Sequence, residues 1–177
     1  DTKCYRRKFK CIIAFISNNK IVDNISKHVS YKEATRSNTA LRRGIDNIPG
    51  IKDIENMKLI AEKVFEPLRE WVGGPVKINS FYRSPELNVA IGGAKKSQHC
   101  RGQAIDIDDT YGGKFTNLNA EMFKYARYHL KFDQMIWEFG DDDNPAWIHI
   151  SYVNEEENRQ RCLKAYKDKG KTKYKVI

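Results

Sequence analysis

Apolar residues recur at helical spacing between about residues 53 and 71, which is the longest regular pattern in the chain. The stripe consists of Ile54, Met57, Ile60, Ala61, Val64, Leu68 and Trp71. Steps of three and four residues predict an amphipathic helix with one buried face. Pro67 should kink or shorten its last turn, and Gly73-Gly74-Pro75 should end it.

Three shorter helices are predicted, two from their boundary residues and one from its apolar spacing. Ser30 is a helix cap with Glu33 at the capping-box position. Pro85 suits the first position of a short helix through Val89, which Gly92-Gly93 would stop. Residues 117–130 have the spacing of a second amphipathic helix.

Alternation of apolar and polar residues predicts several strands. Residues 76–80 and 103–108 alternate, and Ala104, Asp106 and Asp108 share one face of the second strand. Residues 132–139 and 147–152 are predicted to form a hairpin across the acidic loop 140–145. A further strand is predicted from Cys11 to Ile16. Helices mixed with hairpin-linked strands predict an α+β fold, with a small antiparallel sheet and flanking helices.

The 177 residues suit one sizeable domain. We expect an N-terminal arm over residues 1–27, a main domain over 28–153 and a basic tail over 154–177. After Glu157 the tail carries eight Lys or Arg residues against Asp168 alone. It is predicted to be a helix that frays toward a disordered end.

Composition and charge narrow the function only slightly. A hydrophobic content of 40% is that of a globular protein, and a net charge of +9 indicates an acidic partner. Nucleic acid, an anionic membrane and the bacterial cell wall all fit that charge. No apolar run approaches the roughly 20 residues of a membrane span. Residues 6–16 resemble a signal peptide with a short apolar centre, and the four cysteines leave the disulfide state open.

The candidate chemistry lies in two segments that are distant in sequence. In residues 97–106, His99 precedes a glycine turn and Asp106 follows on a strand, and His149 lies 43 residues later in another strand. Two imidazoles and one carboxylate can hold zinc and leave its fourth position open for water. A single strand histidine is more often a packed residue than a ligand. Cys100 is excluded because neighbours on an extended strand point to opposite faces.

Three motifs together resemble the zinc D-Ala-D-Ala carboxypeptidases and the related L-alanyl-D-glutamate endopeptidases of phage endolysins. They are Ser80-Phe81-Tyr82-Arg83-Ser84-Pro85-Glu86-Leu87-Asn88, Ser97-x-His99-x-x-Gly102-x-Ala104-x-Asp106, and Trp147-x-His149-x-Ser151. The resemblance covers roughly residues 28–153. It implies a Hedgehog/D-Ala-D-Ala peptidase-like fold and one zinc ion on His99, Asp106 and His149. It also implies that Arg83 binds substrate and steadies the oxyanion.

One position departs from the family pattern. Many members carry a catalytic Glu or Asp three residues before the last histidine ligand, where this chain has Ala146. Glu138 is the predicted general base, and Asp143 is the second choice. The alternative is that Glu138 has only a structural role and that the enzyme is weak or inactive. Ser97 and Gln98 either bind substrate or are ordinary loop residues. Asp108 either supports a ligand histidine or lies at a solvated strand end.

The resemblance implies a zinc metallopeptidase that acts on the stem peptides of peptidoglycan, as a carboxypeptidase or an endopeptidase. A monomeric phage or prophage lysin working at the bacterial cell wall is the expected setting. One rival is an inactive zinc-containing module for wall binding or virion structure, which Ala146 favours. A nucleic-acid-binding protein is suggested by charge alone, and no named nucleic-acid motif appears in the sequence.

Overall fold

Helices and strands are mixed along residues 23–109 and 118–177, the part of the chain that a computed structural model describes. The helices are α1 (Tyr31–Ala34), α2 (Asn38–Arg43), α3 (Ile51–Ile60), α4 (Glu66–Val72), α5 (Pro85–Ala90) and α6 (Leu118–His129). The strands are β1 (Lys77–Ser80), β2 (Ala104–Asp108), β3 (Gln134–Glu138), β4 (Trp147–Ser151), β5 (Arg161–Asp168) and β6 (Lys171–Val176). The α+β class is confirmed. The predicted strand Cys11–Ile16 lies outside the described residues.

The predicted long helix is present as α3 and α4, joined by a π-helical turn at Ala61–Phe65. Pro67 lies in the first turn of α4, where its missing N–H removes one helical hydrogen bond and a wider turn can accommodate the loss. The apolar stripe is buried except for Trp71, which is 42% exposed. Gly73 ends α4 in the left-handed conformation, as the sequence indicated.

The sheet is larger than predicted. In the described residues, six strands form one sheet in the order β1-β2-β4-β3-β5-β6. The pairs are antiparallel except for β3 with β5, which run parallel. The prediction of a small antiparallel sheet is therefore corrected to a six-stranded mixed sheet. The predicted hairpin of β3 and β4 is confirmed by the pairing of Glu138 with Trp147.

The prediction of a helix in the basic tail is wrong, because residues 161–176 form the hairpin of β5 and β6. The strands are joined by Lys169 and Gly170, whose φ values of 48° and 78° match a two-residue turn of type I′. Cys162 on β5 is buried in the main core. Burial of an apolar strand face stabilises the tail as sheet despite its many lysines.

The two faces of the sheet have different environments. Ile105, Ile107, Met135, Ile148 and Ile150 point to one face and are fully buried in the main hydrophobic core with the helices. The alternate residues of the same strands point to the opposite face, where polar and titratable side chains gather. No helix among the described residues is long and apolar enough to cross a membrane.

Candidate metal centre

Strand pairing brings Asp106 and His149 together. The two residues are direct partners in the ladder between β2 and β4, so their side chains project from the same face. His99 reaches them from a 3₁₀ turn at Gln98–Arg101, which immediately precedes β2. The turn ends at Gly102, whose φ of 65° is a left-handed conformation that glycine adopts readily.

The three side chains converge on one point. His99 Nε2 lies 3.2 Å from Asp106 Oδ1 and 3.2 Å from His149 Nδ1, and His149 Nδ1 lies 2.9 Å from Asp106 Oδ1. A tetrahedral zinc ion with bonds of 2.0–2.1 Å has edges of about 3.3 Å between its ligand atoms. The observed triangle therefore has the size of one face of a zinc tetrahedron. Among the described residues, this is the group of three that meets the distance requirement for a metal site.

The orientation of His99 is set by the segment after β1. Its Nδ1 lies 2.7 Å from the carbonyl oxygen of Phe81, and Arg83 donates its backbone N–H to the His99 carbonyl. A carbonyl only accepts, so Nδ1 carries the proton and Nε2 presents a lone pair to the cluster. Burial lowers the pKa of His99, which favours the neutral form that a metal requires.

Asp106 divides its two oxygens between the histidines and Arg83. Oδ1 faces both imidazoles, whereas Oδ2 accepts a hydrogen bond of 2.5 Å from Arg83 Nη2. Burial would raise the pKa of Asp106, but the adjacent His99 and His149 hold it well below its usual range. The carboxylate is therefore ionised and oriented, as a metal ligand must be.

Arg83 lies beside the centre, with two of its nitrogens engaged. Its Nε donates to Ser80 Oγ at 2.8 Å, in addition to the Nη2 bond to Asp106. The third nitrogen, Nη1, has no hydrogen-bond partner among the described residues. Arg83 is thus positioned to orient Asp106, while Nη1 remains able to bind an oxyanion.

Glu138 projects from the same face as His149, two pairs along the β3–β4 ladder. Its direct partner is Trp147, and Ile136 is the partner of His149, so Glu138 and His149 are diagonal neighbours. Burial raises the pKa of Glu138 to about 7, and Asp106 adds to the increase while His149 opposes it. The sequence prediction that the hairpin brings Glu138 near His149 agrees with this register.

These side chains line a cleft of about 740 Å³ that extends beyond the centre. Ser97 and Gln98 lie in its lining with His99, as do residues of β5 and β6. Gln98 Nε2 donates to Asp133 Oδ2 at 2.8 Å, which fixes the amide and leaves its oxygen for other contacts. The roles of Ser97 and Gln98 in binding stay predictions.

Sequence reasoning missed Asp133, which anchors this region. The residue is 2% exposed and receives two hydrogen bonds of 2.6 Å from the Arg159 guanidinium. It thereby connects Gln98, next to a predicted ligand, with the segment that leads into β5. Phe132-Asp133 at the start of a strand gave no motif, and the partner lies 26 residues away, so no local signal marked the pair.

The structure bears on three other expectations from the sequence. Asp108 is 7% exposed and binds Asn79 and Asn119, so it is neither a partner of a ligand histidine nor a solvated strand end. Cys100 lies in the 3₁₀ turn rather than on an extended strand, so the stated reason for excluding it was wrong. The cluster of three does not include Cys100. Asp143 is not among the described residues that line the cleft.

A largely buried His-Asp-His triangle in a cleft, with a carboxyl of raised pKa on the adjacent strand, is typical of metal-dependent hydrolases. The family model described as Peptidase M15 matches residues 27–151. The chain therefore belongs to the M15 peptidases, a zinc-dependent family of the D-Ala-D-Ala carboxypeptidase type. The resemblance drawn from the three motifs is confirmed at the level of the family. No curated protein matches the chain.

Proposed function

We propose that the protein is a zinc peptidase that hydrolyses peptide bonds in the stem peptides of bacterial peptidoglycan. The observation that carries the proposal is the convergence of His99, Asp106 and His149 within 3.2 Å of one another, with Glu138 beside them. Two imidazoles and a carboxylate form a donor set that suits zinc. We assign these three residues as the metal ligands.

Each remaining residue has a task in the proposed reaction. Zinc, when bound, supplies Lewis-acid polarisation of the scissile carbonyl and lowers the pKa of water. Glu138 accepts a proton from the attacking water and then delivers it to the leaving amine. Arg83 holds Asp106 through Nη2 and offers Nη1 to the charge that develops on the carbonyl oxygen. Ser97 and the oxygen of Gln98 would bind the peptide backbone at the edge of the cleft.

Peptidoglycan is proposed as the substrate because the motifs resemble wall-cleaving enzymes and because the chain is basic. A net charge of +9 favours association with the carboxylates of the wall. We propose a monomeric lysin of phage or prophage that acts at the cell wall. Carboxypeptidase and endopeptidase forms share the motifs, so the bond cleaved is left to experiment.

Digestion of purified peptidoglycan tests the proposal. Zinc-loaded wild type should release amino acids or peptides with new amino termini, detected by mass spectrometry, and Glu138→Gln should release at least 100-fold less because the general base is lost. His129→Ala serves as the control, since His129 is exposed and stacks on Tyr125 away from the cleft. Absence of new termini with the zinc-loaded wild type would contradict the proposal.

A second candidate is a zinc-containing module that binds the wall without cleaving it. Ala146 favours it, because this position carries an acidic catalytic residue in many relatives of the resembled family. The same digestion separates the two functions. Binding of zinc-loaded protein to the wall without any new amino terminus would establish the binding module.

A further inference from the structure

The hairpin of β5 and β6 continues the face of the sheet that carries the metal centre. Ile136 is the ladder partner of both His149 and Leu163, and Glu138 is the partner of Ala165. Ala165 in turn pairs with Tyr174, and Lys167 pairs with Thr172. Because paired residues project to the same side, Lys167, Thr172 and Tyr174 face the same cleft as Glu138. All three line it.

The two faces of β6 differ in chemistry. Lys171, Lys173 and Lys175 alternate with Thr172, Tyr174 and Val176, and the lysines occupy the face away from the cleft. Charged residues on an edge strand discourage pairing with other chains. On the cleft side, Tyr174 lines the cleft and is 53% exposed. Exposed aromatic and apolar surface next to a reactive centre is typical of a binding surface.

Lys167 provides a positioned cation on this wall. Its Nζ donates to Thr172 Oγ1 at 2.8 Å and lies 5.1 Å from the centre of the Phe139 ring. Among the described residues it forms no ion pair, unlike Lys164 and Lys173 on the opposite face, which pair with Asp142 and Asp168. Phe139 directly follows Glu138 in sequence. The ammonium therefore lies over the Phe139 ring in the cleft, and among the described residues no carboxylate forms an ion pair with it.

We propose, resting on the peptidase function above, that the β5–β6 hairpin is a substrate-binding wall on which Lys167 pairs with a free carboxylate of an acidic peptide. The hairpin lies outside residues 27–151, which the family model matches. Leu163 lies level with His149, two strands away across the sheet, and Lys167 is four residues further along the same strand. At standard sheet spacings the backbones of Lys167 and His149 are therefore roughly 16 Å apart. A lysine side chain spans part of that distance. The carboxylate would lie about three residues from the scissile bond of an extended peptide.

Two synthetic peptides test the assignment, identical except for a carboxylate or a carboxamide three residues from the cleaved bond. Zinc-loaded wild type should have about a fivefold higher kcat/KM for the acidic peptide, mostly through KM, because an exposed ion pair is worth up to about that factor. Lys167→Gln should bring the ratio close to one. Lys175→Gln removes the same charge from the opposite face of the hairpin and should retain the wild-type ratio.

The outcomes separate this inference from the proposed function. The ratio of kcat/KM for the acidic peptide to that for the amide peptide decides the assignment of Lys167. An equal ratio in Lys167→Gln and Lys175→Gln, or a ratio of one in the wild type, would overturn that assignment without affecting the proposed peptidase function. If the wild type cleaves neither peptide, the peptidase function fails, and calorimetric binding of the same two peptides decides the inference. Preference for the acidic peptide that Lys167→Gln abolishes would support the binding wall, and equal affinities would reject it.

Discussion

Single hydrogen bonds determine what the side chains of the metal centre can do. The Phe81 carbonyl takes the Nδ1 proton of His99 and so directs the Nε2 lone pair toward Asp106 and His149. Arg83 occupies one oxygen of Asp106 and leaves the other for the centre. These two contacts convert ordinary polar residues into an oriented set of donors.

Burial of Glu138 predicts how activity depends on pH. The pKa of Glu138 is raised to about 7, mainly by burial, and only the ionised carboxylate accepts a proton. We therefore expect kcat/KM to rise with pH up to about 7 as the Glu138 carboxyl ionises. A pH profile with a peptide substrate measures this limb. If Glu138→Gln kept the wild-type kcat/KM and the same rise with pH, Glu138 would not be the general base.

Asp133 predicts an acid-sensitive contribution to stability. Burial would raise its pKa, but hydrogen bonds from Arg159 and Gln98 lower it below the ordinary value. A depressed carboxyl pKa stabilises the fold above the pKa of the unfolded chain, and the contribution is lost as pH falls through the folded value. Asp133→Asn should lower the free energy of unfolding by about 2 kcal/mol near neutral pH.

Urea denaturation at about pH 7 and about pH 3 measures this effect, and the difference from wild type should shrink at the lower pH. Asp142→Asn is the matched control, because Asp142 is 97% exposed in its ion pair with Lys164 and should contribute little. An equal loss of stability in both variants would show that the Asp133–Arg159 pair has no special role.

At the scale of elements, Gly102 determines how closely the His99 turn approaches α3. A Cβ at this position would lie 2.3 Å from the carbonyl oxygen of Asp53 and 2.7 Å from Met57 Cγ. Gly44 has the same φ of 65°, and a Cβ there would have no neighbour within 4 Å. Alanine variants at Gly102 and Gly44 therefore separate the free-energy cost of the left-handed backbone conformation from that of the steric clash.

We expect Gly44→Ala to lower the free energy of unfolding by about 1 kcal/mol, the usual cost of a left-handed alanine. Gly102→Ala should cost more and should also weaken zinc binding, because relief of the clash displaces His99. Chemical denaturation and zinc titration of both variants check this expectation. Equal losses of stability with unchanged zinc affinity would contradict it.

The sequence predicted the helices and strands whose hydrophobic periodicity is strong. The stripe in α3 and α4 and the alternation in β2 predicted elements that the structure contains. The hairpin of β5 and β6 was missed because its lysines resemble a solvated tail, although Thr172, Tyr174 and Val176 alternate with them. Its turn, Lys169-Gly170, lacks the Asn-Gly or Asp-Gly signal of a type I′ hairpin.

For the whole molecule, the candidate site was only partly predictable. The family motifs predicted His99, Asp106, His149 and Arg83 as site residues, and the structure brings these four side chains together. The motifs gave no information on Asp133, Lys167 or Tyr174, whose positions depend on contacts between distant segments. The parallel pairing of β3 with β5, and with it the wall of the cleft, also lies beyond what local pattern can predict.

The central claim is that three residues separated by up to 50 positions hold one zinc ion. Metal analysis by mass spectrometry, after zinc loading and dialysis of correctly folded protein, tests it most directly. Wild type and His129→Ala should retain about one zinc per chain, and His149→Ala less than about one tenth, because loss of one of three ligands leaves the ion weakly held. A wild type without zinc, or a His149→Ala variant that retains it fully, would contradict the account.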